Sequence, residues 1–107
     1  MAIYQTFVET SMDYIDSISF ILNTLYYKFN DINLNLSTSS IIMNETNNKI
    51  LVSFNIQYNI TTIVQSIRMN KQNTKNDLDS VIYNLSELIE YRYYKKLHKE
   101  YKLSFFH

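Results

Sequence analysis

The carboxylates near the N-terminus are the first residues whose type and spacing could support chemistry. Glu9, Asp13 and Asp16 stand four and three residues apart, so a helix would place them on one face. Carboxylates grouped in this way act as general acid and base or hold a magnesium ion. They also stand opposite the apolar stripe and near a helix start, where the helix dipole favours acids. A solvated acidic face is therefore the competing interpretation.

Two aromatic residues, Phe20 and Tyr27, fall on the same arc of the predicted helix as the acids. Exposed aromatics among charges mark contact surfaces on many proteins. We interpret the stripe as a candidate protein-binding surface for a basic partner, including one that otherwise holds nucleic acid. Its members are Glu9, Asp13, Asp16, Phe20 and Tyr27.

Cations and tyrosines are interleaved at the other end of the chain. Five cations share one face of the predicted C-terminal helix, namely Arg92, Lys95, Lys96, Lys99 and Lys102. Cations contact phosphates, and tyrosines such as Tyr94 and Tyr101 stack on bases, so this end is a candidate nucleic-acid surface. An acidic protein is the alternative partner. A pI of 6.7 lies far below that of a typical nucleic-acid-binding domain, which also favours a plain solvated helix end.

The composition excludes several enzyme classes. The chain has no glycine, which phosphate-binding loops, dinucleotide-binding turns, nucleophile elbows and EF-hand loops all require. It has no cysteine, so thiol nucleophiles and thiolate zinc ligands are absent. His98 and His107 both stand in the basic end, without the spacing of a zinc site. We therefore expect no catalytic residue, no cofactor, no metal and no enzymatic activity.

Length and composition also indicate the number of domains, the cellular location and the kind of genome that encodes the protein. The 107 residues carry a formal net charge of zero and predict one small domain, 1–107, with a basic, tyrosine-rich end at 91–107. No apolar run reaches the roughly 18 residues of a membrane span, and we see no secretory signal, so we expect a cytoplasmic protein with no membrane partner. Abundant Asn, Ile, Lys and Tyr without Gly or Pro indicate an AT-rich genome, as in many viruses, phages and mobile elements.

Hydrophobic periodicity predicts a long N-terminal helix from about Tyr4 to Phe29. Thr6 and Glu9 match a capping box near its start. The predicted core stripe recurs at steps of three and four and comprises Val8, Met12, Ile15, Ile18, Leu22, Leu25 and Phe29.

A second helix is predicted from about Thr74 to Tyr101, with Thr74 and Asp77 as its cap. Its apolar stripe comprises Leu78, Val81, Ile82, Leu85, Leu88 and Ile89. The same arc then continues into Arg92, so we expect the helix to leave the core near Tyr91. Its opposite face is rich in tyrosine and leucine. A second copy of the chain would cover that face in a homodimer, and tyrosines exposed on a monomer are the alternative.

The middle of the chain changes to the period of two that is typical of strands. Residues 50–58 alternate apolar and polar side chains, as do residues 32–36, and Asn44–Asn48 is a turn-forming run. We predict a hairpin of about 38–44 with 49–58. Residues 60–69 fit a helix by spacing but are rich in β-branched residues, which favours a third antiparallel strand.

The sequence therefore predicts an α+β fold in the order α-β-β-(β)-α, with both helices on one sheet face. We expect a non-enzymatic interaction domain that binds and blocks a host protein or complex, as small inhibitors of host defence do. The first alternative is a nucleic-acid-binding regulator that uses the basic end of the C-terminal helix. The second is a virion or assembly component.

Overall fold

The computed structural model of the chain describes residues 11–43 and 47–95, with side chains described as far as residue 93. This part of the chain has the predicted α+β class, with two helices and a three-stranded antiparallel sheet. The elements in chain order are β1 (Met12–Asp13), α1 (Tyr14–Lys28), β2 (Leu34–Met43), β3 (Lys49–Tyr58), β4 (Thr61–Asn70), β5 (Gln72–Asn73), α2 (Lys75–Ile89) and a π-helical turn (Glu90–Lys95).

The central strand of the sheet is β3, with β2 and β4 antiparallel on either side. Its alternation buries Ile50, Val52, Phe54 and Ile56 on the inner face, under the two helices. The outer face carries mainly polar side chains, as antiparallel sheets covered on one side do. The predicted third strand at residues 60–69 is confirmed as β4.

A two-residue turn, Asn59 and Ile60, joins β3 to β4. Asn59 has a φ of 55°, a left-handed conformation that asparagine tolerates better than most residues. In a chain without glycine, this asparagine makes the tight hairpin feasible. The predicted turn at Asn44–Asn48 lies partly outside the described residues.

The first outer strand, β2, is longer than predicted. The two predicted segments, 32–36 and 38–44, form one strand from Leu34 to Met43. A β-bulge interrupts its pairing with β3 between Thr38 and Ser40, where one extra residue shifts the register. The bulge reverses which positions of the strand face inward and outward, and this interrupts the period of two. The sequence pattern therefore predicted two separate segments.

The prediction of a long N-terminal helix is only partly correct. Met12 and Asp13 pair with Asn73 and Gln72 as strands, and helix α1 begins at Tyr14 with Asp13 as its N-cap. The predicted capping box of Thr6 and Glu9, and Val8 of the stripe, lie outside the described residues.

The core face of α1 is rotated relative to the predicted stripe. Ser17, Ile18, Ile21 and Leu25 are buried, so the face centres on Ile21. Ile15, expected in the core, is exposed because it lies about 120° around the helix from Ile21.

Helix α2 matches its prediction until its last turn. Thr74 and Asp77 form the full capping box, and Leu78, Val81, Leu85 and Ile89 are buried. The expected departure from the core near Tyr91 is wrong, because Tyr93 is buried too. Tyr93 follows Ile89 by four residues, as Ile89 follows Leu85, so the buried stripe continues into the π-helical turn that begins at Glu90.

Candidate interaction surfaces

The two helices begin side by side. The Asn73 amide, buried at the end of β5, donates a hydrogen bond to Ser17 Oγ of α1 at 3.1 Å and another to the Asn70 carbonyl at 2.8 Å. Ser17 Oγ in turn donates to the Asp13 carbonyl at 2.6 Å. A buried polar network therefore holds the start of α1 against the segment that leads into α2.

An open hollow of about 380 Å³ lies between these helix starts, lined by Ser11, Met12, Asp13, Asp16, Gln72, Asn73, Lys75 and Leu78. Helix N-termini attract anions, but carboxylates of the chain already occupy this position. Asp13 Oδ1 accepts from the Asp16 amide at 2.9 Å, and Lys75 pairs with Asp79 at 2.9 Å. Of the predicted acids, Asp13 therefore acts as the N-cap of α1.

The carboxylate of Asp77 also caps a helix, at the N-terminus of α2. It accepts from the Thr74 amide at 2.8 Å and from the Asn70 side chain at 3.3 Å. The bond from the Thr74 backbone is the main reason that the pKa of Asp77 lies below its ordinary value.

The acidic and aromatic stripe does not form one continuous surface. Asp16 and Tyr27 are exposed, but they stand eleven positions apart on α1, about 16 Å along the axis. Phe20, between them, was expected to be exposed. It is instead half-buried and packs against the core, because it lies on the flank of the helix and not on its outer ridge. Glu9 lies outside the described residues.

Only part of the predicted basic end is described. Arg92 is exposed on the π-helical turn. Lys95 and Tyr94 belong to the same turn, and nothing is described of their side chains. Lys96, Lys99, Lys102 and Tyr101 lie outside the described residues.

The π-helical turn fixes Tyr93 in the core. The Tyr93 hydroxyl donates to the Ile56 carbonyl at 3.4 Å, and its ring lies 5.0 Å from the ring of Tyr58. Burial raises the pKa of Tyr93 above its ordinary value. The turn therefore ties the end of α2 to β3 while leaving Tyr91 and Arg92 exposed on the outside.

Exposed tyrosines lie on the helix layer, two of them next to the helix ends. Lys28 of α1 and Glu90 after α2 form an ion pair at 3.8 Å, which places the two helix ends together. Tyr27 precedes the lysine and Tyr91 follows the glutamate; they are 83% and 66% exposed. Tyr83, 64% exposed, lies eight residues earlier on α2. We name these three residues the tyrosine surface. It joins one member of the predicted acidic stripe to the tyrosine-rich end of α2.

Sequence patterns gave no indication of the role of Tyr26. Its hydroxyl accepts from the Leu36 amide at 2.8 Å and donates to the Leu36 carbonyl at 3.3 Å. In an antiparallel strand, every second residue points its backbone amide and carbonyl away from the neighbouring strand. Leu36 is such a residue, and its amide and carbonyl lie at the outer edge of β2. Tyr26 therefore covers this edge.

Cations gather at one end of the sheet. Residues 47–76 contain four cations and no carboxylate; the cations are Lys49, Arg68, Lys71 and Lys75. Lys49 bonds to the Asn70 side chain in the neighbouring strand, and the Lys71 amide donates to the Asn48 carbonyl at 3.0 Å. Asp77 and Asp79 of α2 stand close to Lys49 and Lys75 and offset part of this charge.

The described ranges contain no group of three or more His, Cys, Asp or Glu side chains placed to hold a metal ion. No helix within them is both long enough and apolar enough to cross a membrane. In comparisons with known proteins, no protein-family model, no curated protein and no solved structure matches this chain.

Proposed function

We propose that this chain is a non-enzymatic protein-interaction domain that recognises its partner through the tyrosine surface of the helix layer. One observation carries the proposal: Tyr27, Tyr83 and Tyr91 project from the helices, while the apolar stripes of both helices are already used in the core. Tyrosine combines a large apolar ring with a polar tip and is enriched at interfaces.

The surroundings of the tyrosine surface suit a binding site. The buried Tyr93, whose hydroxyl bonds to the Ile56 carbonyl, holds the end of α2 against the sheet, so little order remains to be imposed there when a partner binds. Three rings of this exposure offer on the order of several hundred Å² of contact area. Arg92 adds an exposed cation beside them, and arginine is also enriched at interfaces.

The partner we propose is a host protein or complex in the cytoplasm of an infected cell, which the chain blocks by occupying its surface. The AT-rich composition supports a viral, phage or mobile-element origin, and the lack of glycine and cysteine supports a role without catalysis. An inhibitor of host defence combines these properties in a small domain.

Affinity capture from lysates of candidate host cells tests the proposal. The wild-type chain should recover a stoichiometric protein. A bait with Tyr27→Ser and Tyr91→Ser should recover at least about tenfold less, because a tyrosine hot spot contributes roughly 2 kcal/mol or more. Ile60→Ser is the matched control, since Ile60 is an exposed apolar residue at the β3–β4 turn. Equal recovery by all three baits would refute the tyrosine surface as the binding site.

A second candidate function, nucleic-acid binding, is favoured by the absence of carboxylates in residues 47–76. The outer sheet face offers hydroxyls and amides beside Lys49 and Arg68. Such groups contact phosphates and sugars rather than reading bases. A mobility-shift assay with duplex and single-stranded probes at low and high salt tests it. Retardation that Arg68→Ala reduces, and that salt abolishes, would support it; migration unchanged at low salt would exclude it.

A further inference from the structure

The two edges of the sheet differ in how they are protected against pairing with another strand. Unpaired edges invite association, and proteins protect them with bulges, charges or covering groups. Strand β2 has two such devices, the bulge between Thr38 and Ser40 and the Tyr26 hydroxyl on Leu36. The opposite edge, β4, pairs with β3 in unbroken register from Thr61 to Asn70.

Within the described part of the chain, the first seven residues of β4, 61–67, carry none of these protections. The segment Thr-Thr-Ile-Val-Gln-Ser-Ile has no charge and is rich in β-branched residues, which favour strands. Thr61, Thr62, Val64, Gln65 and Ser66 are all exposed. Among residues 11–43 and 47–95, the only side-chain bond to the backbone of this segment is from Gln65 to the Ser66 carbonyl at 3.5 Å, which is at the long limit for a hydrogen bond.

We propose that residues 61–67 of β4 pair antiparallel with the same segment of a second copy, so that two three-stranded sheets join into one of six strands. A two-fold axis at Val64 sets Val64 opposite Val64 and Thr62 opposite Ser66. Both pairs lie on the outer face, since these three residues align with outer-face positions 55, 57 and 53 of β3. On the inner face Ile63 lies opposite Gln65, and Thr61 opposite Ile67.

The net charge of the chain and the arrangement of its inner and outer side chains both favour a second copy of the chain as the partner of β4. The register keeps inner residues against inner ones and outer against outer, which strand pairing requires. Arg68 lies beyond the paired segment, opposite Ile60 of the other copy, so the two arginines do not face each other. A net charge of zero gives the two copies no overall repulsion.

The resulting interface is small. Seven residues of strand span about 23 Å, and the pairing lies at the low end of the sizes known for specific interfaces. The dimer should therefore dissociate on dilution. This proposal is independent of the tyrosine surface, which belongs to the helix layer, and it is tested on the purified chain alone.

Sedimentation velocity of the purified chain across a wide concentration range should show a concentration-dependent dimer. Val64→Lys sets two like charges opposite each other at the axis and should leave a monomer at every concentration. Ile42→Lys is the matched control, because Ile42 and Val64 are both 58% exposed and both lie on the outer face of an edge strand. The control should dimerise like the wild type. Circular dichroism verifies that each variant is folded.

A second readout does not depend on the lysine variants folding. The chain has no cysteine, so Val64→Cys introduces a single thiol. A short bifunctional maleimide should convert this variant to a covalent dimer, and should leave Ile42→Cys largely monomeric under the same conditions. A wild-type chain that stays monomeric at the highest soluble concentration overturns the proposal. So does a dimer that Ile42→Lys dissociates while Val64→Lys does not.

Discussion

At the scale of single residues, Asp77 shows how a helix start makes stability depend on pH. Its carboxylate accepts from the Thr74 amide, which lowers its pKa below 3.8. A carboxylate whose pKa is lower in the folded than in the unfolded protein stabilises the fold. This contribution is complete above the unfolded-state pKa and is lost as the pH falls through the folded-state pKa.

We therefore predict that Asp77→Asn lowers the free energy of unfolding by about 1 kcal/mol at neutral pH, because a charge-assisted bond becomes a neutral one. The difference from wild type should shrink below about pH 4. Urea denaturation at several pH values measures this. Asp79→Asn, which removes an exposed helix ion pair, is the control and should cost no more than about 0.5 kcal/mol. A difference that persists unchanged at pH 2 would contradict the assignment.

Tyr26 makes a second prediction at this scale. Tyr26→Phe leaves both backbone groups of Leu36 without the hydroxyl that covers them, and should lower the free energy of unfolding by about 1 kcal/mol. It also opens the edge of β2, so we expect faster aggregation on heating. Denaturation and light scattering measure the two effects.

The adjacent Tyr27→Phe is the control, because Tyr27 is exposed and its hydroxyl has no hydrogen bond among the described residues. If both variants behave alike, Tyr26 does not protect the edge.

At the scale of elements, periodicity in the sequence anticipated much of the fold. The stripe of α2, its capping box and the alternation of β3 follow directly from local patterns, and all are confirmed. The third strand was correctly favoured because Ile63, Val64 and Ile67 are β-branched. These elements are set by interactions between residues that are close in sequence, which is why the sequence alone predicts them.

The features that sequence patterns missed depend on contacts between distant residues. The pairing of Met12 with Asn73 joins positions 61 apart, and two residues are too few to show a period. The same holds for Tyr26 and Leu36, whose contact follows from how α1 crosses β2. The candidate surfaces were predicted in part. Tyr27 and Arg92 are exposed, but Phe20 is half-buried because the core face of α1 is rotated towards the flank on which it lies.

The π-helical turn yields a prediction at the element scale. A π-helical turn holds one residue more than an α-helical turn, so deleting Tyr91 should restore an α-helical turn and still leave Tyr93 on the core side, three residues after Ile89. We expect a loss of less than about 1.5 kcal/mol in unfolding free energy, as for a tolerated core rearrangement.

Deleting Ser80 is the comparison, because it turns the rest of the α2 stripe, from Val81 to Ile89, out of register with the core. It should prevent stable folding. Thermal unfolding followed by circular dichroism distinguishes the two deletions. Equal destabilisation would mean that the turn is not a one-residue insertion.

At the scale of the whole molecule, the helix layer is fastened at two ends by different kinds of interaction. The buried amide of Asn73 joins the helix starts, whereas the exposed Lys28–Glu90 pair joins the helix ends. An exposed ion pair at 3.8 Å contributes little because water screens it, while a buried amide that loses its partners leaves polar groups unsatisfied. The buried amide at the start of the layer should therefore contribute more to stability than the ion pair at its other end.

This asymmetry predicts that Asn73→Ala lowers the free energy of unfolding by about 2 to 3 kcal/mol, since it removes the bonds to Ser17 and to the Asn70 carbonyl. Lys28→Ala should cost less than about 1 kcal/mol. Urea denaturation of both variants provides the comparison. Hydrogen exchange should show the first turn of α1 opening more readily in Asn73→Ala, and the last turn only slightly affected in Lys28→Ala. A larger cost for Lys28→Ala would reverse the assignment, because the ion pair at the helix ends would then be the interaction that holds the layer together.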